Sequence, residues 1–270
     1  MGWAWRDFGK CGVICTDLRV RGAGGGPQKI SGVPGGWGNF ARNLTIRIMG
    51  TVAAITRRRK RRKHMWNVST ANKLVGGLSA PGKMPCPSFS ISAFLCKTGG
   101  LLSKIAGSVC AMCYARKGRY VFPNVQAALT RRMDVLARAL ADTGFRAEFI
   151  SAMSFLISRR PWFRWHDSGD LQSVAHFRLI CDIARATPST MHWLPTKEPR
   201  FAKGDIPANL IVRVSAPHVD QPAPKGFAHT STVVSDKSAA TCRAFERQGK
   251  CGPCRACWDV NVANVAYYKH

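Results

Sequence analysis

Eight cysteines fall into two sets of four whose spacings suit metal binding. The first set is Cys86, Cys96, Cys110 and Cys113, and the second is Cys242, Cys251, Cys254 and Cys257. Two thiolates separated by two residues can reach one metal from a tight turn. Sets of four thiolates bind Zn²⁺ or an iron–sulfur cluster, whereas disulfides are the alternative. The sequence therefore predicts two thiolate sites, each for an iron–sulfur cluster or zinc.

The second set has the more specific spacing. Its last three cysteines follow one another at intervals of three, which resembles a ferredoxin-type cluster run more than a zinc ribbon. Gly252 and Pro253 favour a turn there, and Arg255 adds positive charge that lowers the pKa of a thiol. Cys181 lies on the apolar face of a predicted helix, and we expect it to be core packing.

Polar residues follow three predicted strands at the point where each strand ends. Asp167 and Asp170 follow the first strand, and Lys197 follows the second. Carboxyl ends of parallel strands form the active-site edge in α/β folds, so these three are the candidate catalytic residues. Capping of the next helix is the alternative for Asp167, Ser168 and Asp170, and it is weakest for Asp167, which lies directly at the strand end. The candidate substrate-binding residues nearby are His166, Ser168, Gln172 and Ser215.

The elements that would position these residues alternate between helices and short apolar strands. Helical spacing covers 124–141, 145–157 and 172–186, and the strands are 162–166, 190–194, 209–215 and 231–234. This alternation predicts an α/β fold with a parallel sheet. A full or partial (β/α) barrel with cysteine-rich metal-binding segments at both ends fits the count, and an open doubly wound sheet is the alternative.

The chain divides into three predicted regions. Residues 1–64 are basic and glycine-rich, lack a sustained apolar period and end in a block of seven positive charges at 57–63. This extension is either a phosphate-binding arm or an artefact of translation starting at Met65. Residues 65–240 would form the α/β domain with the first cysteine set. Residues 241–270 would form the second metal-binding segment.

The charge favours a polyanionic partner. The chain has 41 Lys and Arg against 14 Asp and Glu, a net charge of +27, and residues 65–270 alone carry +15. Nucleic acid is the commonest such partner, and a merely solvated basic surface is the alternative. No stretch approaches the ~20 apolar residues of a membrane span, and residues 1–30 do not resemble a secretory leader. We therefore expect an intracellular protein without a membrane partner.

Several of these motifs resemble the phage gene product 88 domain family, within a wider set of phage radical-SAM-like barrel proteins. The matching stretches are the Cys-Ala-Met-Cys-Tyr run at 110–114, the Ser-Gly-Asp run at 168–170, the Thr-Lys pair at 196–197 and the Cys-x2-Cys-x2-Cys run at 251–257. The resemblance implies a barrel-like fold, a phage-infected bacterial cytoplasm as location, and S-adenosylmethionine as a possible co-substrate. The radical SAM spacing itself, Cys-x3-Cys-x2-Cys, is absent because Ala106 stands at its first position. Cys96 or Cys86 would have to replace it.

A second resemblance is to the tRNA-guanine transglycosylase superfamily. The run Asp-Ser-Gly-Asp-Leu-Gln at 167–172 is similar to the Asp-Ser-Gly-Gly-Phe-Gln of that superfamily, whose members are barrels with a zinc site. Asp167 would then bind the base, with Gln172 nearby. No aspartate stands in 193–197, where a nucleophile would be expected.

Three hypotheses follow. The leading one is an iron–sulfur, radical-SAM-like enzyme that acts on nucleic acid, with Cys96, Cys110 and Cys113 at the catalytic cluster. The second is a zinc-containing base-exchange enzyme. The third is a protein whose cysteine-rich segments are held together by metal and that binds nucleic acid without catalysis.

Overall fold

The computed structural model describes residues 66–269 and is built on a six-stranded parallel sheet. Each strand pairs with the next along the chain, so the order in the sheet is the order in the sequence. β3 and β4 pair over five residues, with Trp193 opposite Ile211, and β5 and β6 pair over five as well. The strands are β1 Ser88–Phe89, β2 Trp162–Trp165, β3 Met191–Thr196, β4 Leu210–Val219, β5 Thr230–Val234 and β6 Asn264–Tyr268.

Within residues 66–269, five α-helices accompany the sheet: α1 Val68–Val75, α2 Lys97–Leu102, α3 Pro123–Ala141, α4 Thr143–Ile157 and α5 Val174–Ala186. Pro123 begins α3, where its missing N–H costs nothing. Asp142 caps α4 by accepting from the backbone N–H of Gly144, and Ser173 caps α5 in the same way from His176. None of the described helices is long and apolar enough to cross a membrane.

The main core lies between the helices and one face of the sheet. Alternate strand residues such as Phe163, Trp165 and Leu194 point to this face and are almost fully buried. They pack against buried residues of α4 and α5, including Phe149 and Phe177. The apolar faces of the helices and the apolar face of the sheet therefore pack against each other in one core.

The opposite face of the sheet is covered by the cysteine-rich segment between β5 and β6. Trp258 of that segment is buried against Trp162 and Trp193, and its Nε1 donates to the backbone oxygen of Phe163 at 2.8 Å. Arg213 of β4 is fully buried on this face. Its guanidinium donates to backbone oxygens of the covering segment, namely those of Ala256, Cys257, Asp259 and Val262.

The α/β class and the parallel sheet are confirmed, but the sheet is not closed. Among the described strands, β1 pairs only with β2 and β6 only with β5, apart from isolated bridges of Ser88 with Ser79 and of Tyr267 with Cys242. Because β1 and β6 do not pair with each other, the sheet keeps two edges and does not form a closed barrel. The expected basic extension, 1–64, lies outside the described residues, as do Met65 and His270.

Candidate functional site

Asp167 joins the ends of β1 and β2. Its Oδ1 accepts from the hydroxyl of Ser88 at 2.6 Å, and its Oδ2 accepts from the hydroxyl of Tyr120 at 2.7 Å. The hydroxyl of Tyr114 donates to its backbone oxygen at 2.6 Å. The side chain is buried, and both carboxylate oxygens are engaged. Asp167 therefore holds the strand ends together and is not free to face solvent.

Asp170 connects the turn after β2 to the end of β3. Its carboxylate accepts from Thr196 Oγ1 at 2.6 Å and from the backbone N–H groups of Lys197 and Leu171 at 2.8 and 2.7 Å. Burial raises the pKa of Asp170 to about 6, although these hydrogen bonds oppose the rise. The carboxyl group can therefore exchange a proton near neutral pH.

Gly169 makes this turn possible. Its φ is +86°, a region that side chains rarely adopt, and an added Cβ would overlap the side chain of Ile91 and lie 2.8 Å from its carbonyl oxygen. The Ser-Gly-Asp run thus needs glycine so that the chain after β2 can pass directly over the chain after β1.

Lys197 lies between Asp170 and two thiols. Its ammonium donates to the backbone oxygen of Ala216 at 2.6 Å, so it spans the ends of β3 and β4. Burial lowers the pKa of Lys197, whereas the neighbouring Cys110, Asp170 and Cys113 raise it. The ammonium is therefore placed to balance negative charge on these groups.

Three cysteines meet at the same edge of the sheet. Cys96, Cys110 and Cys113, which we call the edge thiols, come from the segment that follows β1. Burial raises the pKa of Cys96 to about 12, with further contributions from Asp170, Cys113 and Cys110. A Cβ at the buried Gly99 would lie 3.4 Å from Sγ of Cys110 and 3.8 Å from Sγ of Cys96, so both sulfurs face one backbone position.

Cys86 lies with the second cysteine set instead of the first. The backbone N–H of Cys251 donates to the oxygen of Lys83 at 3.0 Å, and the charge of Cys251 raises the pKa of Cys86 after the larger effect of burial. Cys86 precedes β1 and Cys96 follows it, so the strand directs them to opposite ends of the sheet. We call Cys86, Cys242, Cys251, Cys254 and Cys257 the sheet-face thiols.

All nine cysteines within 66–269 are free thiols. No three or more Cys, His, Asp or Glu side chains in this part of the chain stand at metal-binding positions around one point. The backbone nevertheless brings each thiol set together, and thiols are the donors that zinc and iron–sulfur clusters prefer. A Cβ at Gly99 would lie 3.2 Å from Cβ of Cys96 and 3.4 Å from Sγ of Cys110, so glycine lets the backbone of α2 approach these two cysteines closely.

The remaining candidate residues do not all lie at the edge thiols. His166 is 3% exposed, has a φ of +55°, and packs its ring against that of His176. Burial, followed by Arg164, lowers the pKa of His166 to about 3. Ser168 is also buried, and its hydroxyl has no hydrogen-bond partner. Gln172 donates to the backbone oxygen of Asp170.

Ser215 lies on the sheet face, where its hydroxyl is 2.9 Å from that of Ser231. Three further residues that build the site were not among the candidate site residues, although the sequence pattern did place Glu198 at a strand end. Tyr114 and Tyr120 hold Asp167, and the buried Glu198 accepts from the backbone N–H of Thr98 at 2.6 Å. Glu198 follows the Thr-Lys pair directly, so its place at a strand end was a usable signal.

Neither a curated protein nor a solved structure matches the chain. A family model described as gene product 88 matches residues 53–260, which is well over half of the chain and includes both thiol sets. The match covers the Ser-Gly-Asp turn and the Thr-Lys strand end whose geometry is described above. The chain therefore belongs to the phage gene product 88 family.

Proposed function

We propose that this protein is a metal-dependent enzyme that uses an iron–sulfur cluster to modify nucleic acid in the cytoplasm of the infected bacterium. One observation carries the proposal: the edge thiols, Asp170 and Lys197 come from three separate chain segments and meet at the carboxyl edge of the sheet. Structural thiol sites have no need of a buried carboxyl and an ammonium beside them. Catalytic sites commonly combine these groups.

The strand order supports an enzyme site at this edge. Parallel strands that follow one another in chain order make up (β/α) barrels, and we propose that the open sheet is a partial barrel. Active sites of such barrels lie at the carboxyl ends of the strands. The edge thiols follow β1 directly, which places them on that side.

Three thiolates suit a cluster that retains an open position. A cluster held by Cys96, Cys110 and Cys113 would leave one iron without a protein ligand and supply redox chemistry to a co-substrate such as S-adenosylmethionine.

The other side chains have roles that do not depend on which co-substrate binds. Burial raises the pKa of Cys110, and the charge of Lys197 opposes this rise, which favours the thiolate that a metal requires. Asp170 orients the backbone of Lys197 and can hold or release a proton near neutral pH. Gln172 keeps the chain after Asp170 in place by donating to Leu95 and Asp170 backbone oxygens.

We assign the sheet-face thiols a structural role. Four of them belong to the segment that Arg213 and Trp258 fix to the sheet, and Cys86 lies beside Cys251 of that segment. A second metal there, zinc or an auxiliary cluster, would hold residues 242–257 against the strands.

The two alternatives make different predictions about the same site. A base-exchange enzyme needs an aspartate able to bind a base, but both oxygens of Asp167 already accept from Ser88 and Tyr120. A non-catalytic binding protein would need Asp170 only for the hydrogen bonds that tie the strand ends together, and not for proton exchange near neutral pH. No observation favours either alternative over the cluster enzyme.

Anaerobic purification followed by iron, sulfide and zinc analysis tests the proposal. We expect a brown protein with absorbance near about 400 nm, and loss of that absorbance in Cys96→Ala, Cys110→Ala and Cys113→Ala. Cys181→Ala is the matched control, since Cys181 is buried in the helix-facing core. Zinc alone in the purified protein, or full iron content in the triple variant, would overturn the proposal.

A further inference from the structure

Residues 93–122, which we call the edge cap, expose an unusual amount of apolar surface. The cap consists of α2 and four 3-10 helices that contact one another. Seven of the twelve exposed large apolar side chains in residues 66–269 belong to it. Such a concentration marks a binding surface in a soluble fold. The seven are Phe94, Leu95, Leu101, Ile105, Tyr114, Val121 and Phe122.

The edge cap is also basic throughout. It contains five Lys and Arg residues and no Asp or Glu, and the first acidic residue after Met65 is Asp134. In the part of the chain that the structure describes, none of the five forms an ion pair. The five are Lys97, Lys104, Arg116, Lys117 and Arg119. Unpaired positive charge beside exposed aromatic rings is complementary to an anionic, aromatic ligand.

The aromatic rings are held in place. The guanidinium of Arg116 lies 4.8 Å from the centre of the Phe94 ring, and Tyr114 is anchored through its hydroxyl to Asp167. Phe122 is 54% exposed at the start of α3. Rigid exposed rings lose little entropy when a planar ligand stacks on them.

The edge cap covers the candidate active site. It carries the edge thiols, and two hydrogen bonds connect its backbone to the carboxyl ends of the strands. The backbone N–H of Thr98 donates to the carboxylate of Glu198, and the backbone N–H of Val219 donates to the backbone oxygen of Gly107. A ligand stacked on the cap therefore binds to the same segment that carries the edge thiols.

We infer that the edge cap binds single-stranded nucleic acid and presents one of its bases to the edge thiols. Bases stack on Phe94, Tyr114 and Phe122, while Lys104, Lys117 and Arg119 bind phosphates. This inference rests on the proposed function, because it names the substrate form that the same site accepts. Duplex DNA keeps its bases stacked inside, so its backbone would leave the exposed rings without partners. A membrane surface needs a longer amphipathic helix, and α2 has only six residues.

Fluorescence anisotropy with a labelled single strand of about 16 nucleotides tests the inference. The full chain is used, so residues 1–65 contribute equally to every variant. We expect Phe94→Ala/Phe122→Ala to weaken binding at least about tenfold, since stacking on each ring is lost. Lys117→Ala/Arg119→Ala should weaken binding and reduce its salt dependence.

The matched controls lie away from the cap. Phe155→Ala removes an exposed ring of α4, and Arg159→Ala/Arg160→Ala removes two charges at the amino end of β2. Equal losses in cap and control variants, or tighter binding to a duplex or to phosphatidylglycerol vesicles, would overturn the inference. Iron content measured on the same variants separates the two claims. If the protein holds iron but does not bind single strands selectively, only the inference about the edge cap is wrong. If it binds single strands selectively but holds no iron, only the proposal of a cluster enzyme is wrong.

Discussion

The hydroxyl of Thr196 donates to Oδ1 of Asp170 at 2.6 Å and thereby ties the end of β3 to the turn that follows β2. The other carboxylate oxygen accepts from the backbone N–H of Lys197. One buried side chain thus sets the distance between two neighbouring strand ends. The placement of the Lys197 ammonium beside the edge thiols depends on this contact.

Replacing Asp170 should therefore cost stability as well as activity. Asp170→Ala leaves the donors of Thr196, Lys197 and Leu171 without an acceptor, and we expect a loss of about 3 kcal/mol in the free energy of unfolding. Asp170→Asn keeps one acceptor oxygen and should cost less. Urea denaturation measures both. Asp205→Ala, at an exposed carboxylate, is the control, and a loss in Asp170→Ala no greater than in that control would contradict the role given to Asp170.

The regrouping of Cys86 gives a second prediction. In a variant that lacks all three edge thiols, only the sheet-face thiols can hold metal. Adding Cys86→Ala should then weaken binding of the remaining metal, because Cys86 lies beside Cys251. Metal retention during titration with a chelator measures this, with Cys181→Ala as the control. Unchanged retention would show that Cys86 is not a ligand of the metal that the other sheet-face thiols hold.

Much of the fold was predictable because apolar residues that face the core recur in the sequence at the spacing of a helix or a strand. The helix expected at 124–141 is α3, Pro123–Ala141, and the strand expected at 209–215 is part of β4. The two outer strands were missed for different reasons. β1 has only two residues, which is too short for any period, and β6 directly follows the cysteine-rich segment, where polar residues and turns obscure the alternation.

The site was only partly predictable because sequence spacing reports neighbours along the chain. Asp170 and Lys197 were placed correctly at strand ends, since parallel strands bring their carboxyl ends to one edge. Cys86 was grouped with Cys96 on sequence proximity, although β1 separates them. Arg213 lies within an apolar strand, and no local pattern shows that its partners are carbonyl groups about 45 residues later.

Arg213 should be irreplaceable by lysine. Its planar guanidinium donates at 2.7 and 2.8 Å to the oxygens of Ala256 and Val262 while also reaching Cys257, a geometry that one ammonium cannot reproduce. We expect Arg213→Lys to lower the free energy of unfolding by about 3 kcal/mol and to speed hydrogen exchange in 241–263. Arg200→Lys, at an exposed side chain, should change stability by less than about 0.5 kcal/mol. Unchanged exchange in 241–263 would mean that Arg213 does not hold this segment.

Acid should destabilise the protein because its buried histidines bind protons more tightly once the chain unfolds. His192 is the buried histidine whose contribution can be tested separately. Its Nδ1 accepts from Trp165 Nε1 at 3.2 Å, and its Nε2 donates to the Thr187 hydroxyl, which itself donates to Ile183. The ring is therefore neutral, and burial lowers its pKa to about 4. The unfolded chain binds this proton more tightly, with a pKa of about 6.5.

The sign of the pH dependence follows from these two values. The stability that neutral His192 contributes is complete above a pH of about 6.5 and is lost as the pH falls toward 4. His192→Gln should be less stable than the wild type at pH 7 by about 1 kcal/mol, through poorer hydrogen bonds. Its stability should nevertheless fall less steeply between pH 6.5 and 4, because one proton fewer is taken up on unfolding. Urea denaturation at a series of pH values measures both slopes, and parallel slopes for the two proteins would show that His192 is not the titrating group.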